Sequence, residues 1–443
     1  MVTPQQVLAD CWARIDAVNP QLNALIAPRR AASLADAAAS TARWARGQPL
    51  GPLDGIPLAI KDNIPSADQP TTWGSPAGRN HQPAQDELVL ARARAAGALV
   101  VGKTNVPEFT LEGYTGNPVF GSTRNPWNLA LTPGGSSGGA VAAVAAGMVP
   151  LALGTDGGGS TRRPASHTGL VGFKPSIGAI AREHALPPLL LDFEVVGAFA
   201  RNVADVQLLF NAVRGPHPAD RRSLALPERP LPAQLRVLYV PTLEGAPVDP
   251  EIAASCRAGV QRLAAMGHQV DEGALPLDLG FMTSGWGVVG QIGLAWLFNQ
   301  HPHWAAGASA KYLAMAEAGR QVPAAQLWQM LEAVEQLRRE VAQLFTRYDL
   351  LVTPATAALP WPADEAFPPR IAGQAVGPRG HAIFTGWVNA AGLPAVALPT
   401  APSASGLPIG VQLIADFGSD DALLALAARF EAAAPQGWLW PPL

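Results

Sequence analysis

The chain of 443 residues has only two cysteines, Cys11 and Cys256, each among apolar neighbours in a helix-like segment. That excludes a disulfide framework and a thiolate metal site. Its eight histidines are scattered, no two of them at helical i, i+4 spacing, so no metal-ligand pattern is present. Charge is scarce: 15% of residues are Asp, Glu, Lys or Arg against 48% hydrophobic, a balance that argues against disorder. The formal net charge of −3 gives no basic footprint for nucleic acid, and there is no acidic or basic tail. The N-terminus lacks the basic region and apolar core of a signal peptide, which predicts a cytoplasmic protein. No apolar run is long enough to predict a membrane span. Residues 125–155 carry no charge, but Pro126, Pro133 and the Gly134–Gly139 cluster break them up. The continuous apolar part, Ala140–Leu153, is short and contains Gly147 and Pro150, so it reads as buried core.

What is present is alternation of helix and strand patterns. Val7, Leu8, Cys11, Ile15 and Val18 fall at helical spacing. Asp86 reads as the N-cap of a helix running to about Ala96 and stopped by Gly97, followed by a strand Ala98–Val101. Ala140–Ala146 reads as a helix of small residues and Met148–Leu153 as a buried strand. Asn202 with Asp205 resembles a capping box, and Asp249-Pro250 an N-cap with proline in the first turn of a helix ending at Gly267. Residues 324–347 form a long helical pattern followed by the strand Leu350–Val352. Strands are predicted at Pro394–Leu398 and Gly410–Ile414, and a last helix near Ser419. This alternation predicts an α/β core. No linker or internal repeat divides residues 1–443. Segment 215–345 is poorer in glycine motifs and carries Trp286, Trp296, Trp304 and Trp328; it reads as a helical insertion shaping a pocket.

Three segments carry chemistry. Lys61 directly follows the apolar run Ile56–Ile60, where a lysine is costly unless neutral or paired, though a strand-end lysine in solvent fits equally well. Residues 133–139 place Ser136 and Ser137 between glycine pairs, which reads either as a special backbone conformation or as a flexible turn. In residues 154–164 a buried strand feeds Gly157, Gly158 and Gly159, and then Ser160 at a helix start. That arrangement aims successive N–H groups at one spot beside a hydroxyl, as an oxyanion hole requires. Two motifs are decoys. Residues 97–104 match the nucleotide-binding pattern GxxxxGKT, but their middle, Ala-Leu-Val-Val, is a buried strand and not a loop. His167, seven residues after Ser160, reads as a structural or pocket-wall histidine; Asp62, Asp156 and Asp192 read as structural carboxylates.

With these segments, the sequence resembles the amidase signature family over nearly its whole length. The resemblance extends to Gly102-Lys103-Thr104-Asn105, Phe120–Trp127, Gly172-Phe173-Lys174-Pro175 and Gly410-Val411-Gln412-Leu413. It implies a single large α/β/α domain over residues 1–443, with a mixed, mainly parallel central sheet covered by helices. It implies Lys61 as base, Ser136 as a bridging serine after a cis peptide, and Ser160 as nucleophile. The N–H groups of Gly157, Gly158, Gly159 and Ser160 would then hold the oxyanion. Ser137 and Arg163 are the implied substrate-binding candidates. The sequence departs from the family pattern at Gly157, where Thr or Ile is common, which implies a looser oxyanion turn. No cofactor or metal is implied. The implied substrate is a small amide, anilide, cyclic oligoamide or carbamate, the last making the chain a urethanase. Membrane and nucleic-acid partners are not expected, and a homodimer is compatible. Two other readings stand beside this one: the amidase component of a tRNA-dependent amidotransferase, and a catalytically silent binding protein on the same fold.

Overall fold

The computed structural model describes residues 2–227, 229–434 and 440–443. Eleven strands form one sheet: β1 (Leu25–Pro28), β2 (Pro57–Lys61), β3 (Leu99–Thr104), β4 (Leu151–Asp156), β5 (Val171–Lys174), β6 (Val195–Ala200), β7 (Arg236–Tyr239), β8 (Gln269–Glu272), β9 (Leu350–Pro354), β10 (Ala395–Pro399) and β11 (Gly410–Ile414). Their order across the sheet is β1-β3-β2-β4-β6-β5-β10-β11-β9-β7-β8. The sheet is mixed, as expected. Parallel pairing is confined to two blocks, β3-β2-β4 and β9-β7-β8; the strands between them, and the edge strand β1, pair antiparallel.

Both faces of the sheet are covered. Along β2, Leu58 and Ile60 join one buried cluster while Ala59 joins another, as alternation across a strand requires. A strand buried on both faces reads as an unbroken apolar run, which is how β2 and β4 look in the sequence. The helix Gly138–Ala145 is buried at every position, so only small side chains fit there. The predicted helix caps Asn202 and Asp249 are in place, their side chains accepting from the N–H groups of Asp205 and Glu251.

Three expectations need adjusting. Helix Leu88–Ala95 has Glu87 and not Asp86 at its N-cap position; the Asp86 carboxylate pairs instead with Arg94 at 3.0 Å. The strand expected at Ala98–Val101 runs from Leu99 to Thr104, because Gly102-Lys103-Thr104 continue it in the interior. Segment 215–345 is not purely helical. Its first part supplies β7, the helix Pro250–Ala265 and β8 to the sheet edge, because the run Leu235–Val240 is apolar enough to pair there. Its later part is helical, with Trp286–Gln300, Ala310–Arg320 and Ala324–Arg347. Among the described residues no helix is long and apolar enough to cross a membrane.

Candidate active site

Parallel pairing of β2 with β4, Ile60 opposite Leu153, ends both strands at the same edge of the sheet. Lys61 is therefore carried beside Thr155. Its side chain has no exposure, and Nζ donates to Thr155 Oγ1 at 2.9 Å and lies 3.2 Å from the Thr155 carbonyl. Its third neighbour is Ser136 Oγ at 2.8 Å, and Ser136 Oγ lies 3.0 Å from Ser160 Oγ. Lys61, Ser136 and Ser160 thus form one hydrogen-bonded line. Hydroxyl hydrogens rotate, so the direction of donation along the line can reverse. Burial pushes the Lys61 ammonium down to about 7, against the opposing pull of Glu194 and Asp156. A lysine at that value is substantially neutral near pH 7 and can accept a proton.

Each serine sits on a braced loop. The Gly135-Ser136 peptide is cis. Thr115 Oγ1 holds that loop from both sides, donating to the Gly134 carbonyl at 2.9 Å and accepting from the Gly138 amide at 3.0 Å. The turn before Ser160 is organised by Asp156. Its carboxylate accepts from the amides of Gly158, Gly159 and Thr161 at 3.2, 2.6 and 3.0 Å, and from Arg162 Nε and Nη2 at 3.0 and 2.9 Å. Burial alone would raise this carboxyl, but Arg162 and the amides hold it well below the ordinary carboxylate range. Gly159 has φ +117, and a Cβ there would run into the Thr385 side chain, so glycine is required on both counts.

These bonds change the picture of the oxyanion cradle. The amides of Gly158 and Gly159, expected to face an oxyanion, already donate to Asp156. Among the described residues, the amides of Gly157 and Ser160 have no protein acceptor. The looseness expected at Gly157 is also countered. Leu190 fills the space a side chain at position 157 would take, while Thr385 Oγ1 and Arg163 Nη1 grip the Gly158 carbonyl at 2.7 and 2.8 Å.

Ser160, 7% exposed, opens onto a cavity of about 300 Å³. Arg163 also lines it; Ser137 does not, because its hydroxyl points back at the Thr155 carbonyl, 3.2 Å away. Of the four tryptophans in segment 215–345, only Trp286 lines this cavity. Trp304 packs edge-on against Trp73, and Trp296 and Trp328 are exposed. His167 is bound through Nε2 to the Ala358 carbonyl at 3.1 Å, and burial pushes it down to about 4. It makes no hydrogen bond to Ser160. Lys103 of the decoy motif is buried on β3, bound to the Ile64 carbonyl and to Thr71 Oγ1, with no phosphate-binding loop around it. No group of residues able to hold a metal ion occurs among the described residues.

Sequence reasoning missed Thr155, Thr385, His381 and Arg379, which lie at or beside the site. Thr155 carried a weak signal, being a polar residue directly after the apolar run 151–154 of β4. The other three come from chain segments more than 200 residues beyond Ser160, where no motif marks them.

Residues 6–424 match the Amidase family. A putative amidase of Mycobacterium tuberculosis is 35% identical over 99% of this chain and 91% of its own length. A glutamyl-tRNA(Gln) amidotransferase subunit of Picosynechococcus sp. is 31% identical over 97% of this chain and 94% of its own length. Among solved structures, a 6-aminohexanoate cyclic dimer hydrolase complexed with substrate superposes with a TM-score of 0.89 at 29% identity, covering 100% of this chain and 96% of that one. A bacterial aryl acylamidase superposes equally well, with a TM-score of 0.89 at 27% identity over 98% of this chain and 94% of the other.

Proposed function

This chain belongs to the amidase signature family, and from that premise we propose that it hydrolyses the C–N bond of a small amide through an acyl-enzyme on Ser160. The observation that carries the reading is the buried line from Lys61 through Ser136 to Ser160, ending at a cavity wall. A serine hydroxyl is a weak nucleophile without a base, and neutral Lys61 supplies one at the far end of the line. Ser160 Oγ attacks the carbonyl carbon. Its proton passes to Ser136, whose own proton passes to Lys61. The carbonyl oxygen gains the negative charge and is met by the Gly157 and Ser160 amides, the two left without a protein acceptor. The tetrahedral species collapses as the C–N bond breaks. Ser136 protonates the departing nitrogen and is reprotonated from Lys61. Water then enters by the same proton route and releases the acid and Ser160.

Anilides, cyclic oligoamides and carbamates share this carbonyl chemistry. Arg163, on the cavity wall, is placed to bias the choice among acyl groups. The identity with proteins named as glutamyl-tRNA(Gln) amidotransferase subunits supports a second reading, in which the same centre works beside a partner protein. Turnover of simple amides by the purified chain with nothing added favours the first reading; activity only with added partner proteins favours the second.

Removing the base tests the mechanism. In wild type, kcat/KM should climb as pH rises through about 7, where Lys61 loses its proton. Lys61→Ala should lower turnover by at least about 10²-fold, while His167→Ala retains most of it. A dead His167 variant beside an active Lys61 variant would replace the lysine with a histidine base.

A further inference from the structure

Arg162 and Arg163 are adjacent in the chain and opposite in environment. Arg162 is fully buried and satisfied by Asp156, Asn389, Gln412 and the Thr385 carbonyl. Arg163 is 6% exposed, yet among the described residues it is in no ion pair. Its Nη atoms reach only neutral oxygens of Gly158, Thr385 and Gly135, and its Nε is buried without an acceptor. A buried cation lacking a counter-charge is expensive unless a ligand provides one.

A second unpartnered group shares the same cavity. His381, 3% exposed, has neither ring nitrogen hydrogen-bonded, and its ring packs against Trp361 with centroids 4.7 Å apart and planes tilted by 56°. Its backbone carbonyl is anchored by the Ala357 amide at 3.1 Å and by Thr356 Oγ1 at 3.0 Å. Gly113 faces the ring, and any Cβ there would collide with His381 Nε2. The imidazole is thus fixed in place with its polar edge unused. Arg379, exposed at the rim, lines the same cavity and is likewise in no ion pair among the described residues. Of the two carboxylates lining the cavity, Glu112 pairs with Lys311, and Glu194 pairs at 2.8 Å with Arg182, which it shares with the buried Glu87.

We propose that the cavity beside Ser160 contains a carboxylate subsite built by Arg163 and His381, with Arg379 at its rim, so that the substrate is an amide that also bears a carboxylate. The inference rests on the amidase reading for the word substrate, but the subsite binds an anion whether or not Ser160 reacts. Arg163 supplies the buried charge, His381 an N–H donor, and Arg379 draws the anion toward the mouth. Charge-assisted bonds of this kind are strong enough to separate a charged ligand from its neutral isostere by about tenfold or more.

Two measurements test this together. Isothermal titration compares succinate with neutral succinamide, and steady-state kinetics compares succinamate and glutaramate with succinamide and glutaramide. Succinate should bind at least about tenfold tighter than succinamide, and the charged monoamides should have the higher kcat/KM by a similar factor. Arg379→Gln, at the exposed rim where folding is not at stake, and His381→Gln should each shrink the charged-to-neutral ratio at least severalfold. Succinate binding no tighter than succinamide overturns the subsite, whatever turnover shows. Tight, charge-dependent binding with no turnover of any of the four amides leaves the subsite standing and counts against the amidase reading alone.

Discussion

Ser136 Oγ stands 2.8 Å from Lys61 Nζ and 3.0 Å from Ser160 Oγ, so a single hydroxyl has to pass protons in both directions. Its two tasks weigh differently with different leaving groups. An amide nitrogen must be protonated before it departs, whereas an activated ester leaves as a stable phenolate. Ser136→Ala should therefore depress amide hydrolysis much more than p-nitrophenyl ester hydrolysis. General acid help is worth about 10²–10⁴-fold, so the ratio of the two kcat/KM values will show it. An equal loss on both substrates would leave Ser136 with a positioning role only. At this scale the sequence was informative wherever chemistry forces glycine around serine. Ser136 and Ser160 could be picked out by the glycines beside them. His381 could not, because an unpartnered imidazole is a property of its surroundings, contributed here by Gly113, Trp361 and Arg163.

Among the elements, the turn from β4 into the helix Arg162–Thr168 bears the most constraint. Asp156 closes it from inside by accepting three amides, and Thr385 holds its outer carbonyl at Gly158. Thr385→Val keeps the shape of the side chain and removes the 2.7 Å bond. The Gly157 and Ser160 amides should then be less well aimed, lowering kcat about tenfold, a fraction of the loss when an oxyanion donor is deleted outright. Steady-state kcat with an unchanged unfolding midpoint is the check; unchanged kcat would show that Arg163 alone suffices to hold Gly158. Elements with strong local signals were legible: Gly410–Ile414, the helix of residues 324–347, and the caps Asn202 and Asp249. The two strands of segment 215–345, β7 and β8, were not. β7 is only four residues long and follows a proline-rich stretch, so although its run is apolar enough to pair, its place in the sheet is fixed by β9 and β8 alongside it.

For the whole molecule, three buried lysines set the pH response. Burial pushes Lys61 and Lys174 down to about 7 and Lys103 down to about 8, from 10.5 in an exposed chain. Between those values the unfolded chain binds more protons than the folded one, so stability rises with pH. The opposite holds for buried Cys256 and Tyr239, raised by burial from 9.0 and 10.0; their contribution is lost once pH passes those unfolded values. The unfolding midpoint should therefore climb from about pH 7 to about pH 9 and climb less steeply above it, where Cys256 and then Tyr239 begin to oppose the three lysines, as thermal denaturation across that range will show. A midpoint falling steadily from pH 7 would mean that these lysines are not desolvated as the buried site requires. The most direct test of the mechanism uses the intact protein. A fluorophosphonate should add once, and peptide mass spectrometry should place the adduct on Ser160, with labelling much slower in Lys61→Ala. An adduct on Ser137 or another serine, or equal labelling of the Lys61 variant, would contradict the relay from Lys61 through Ser136 to Ser160.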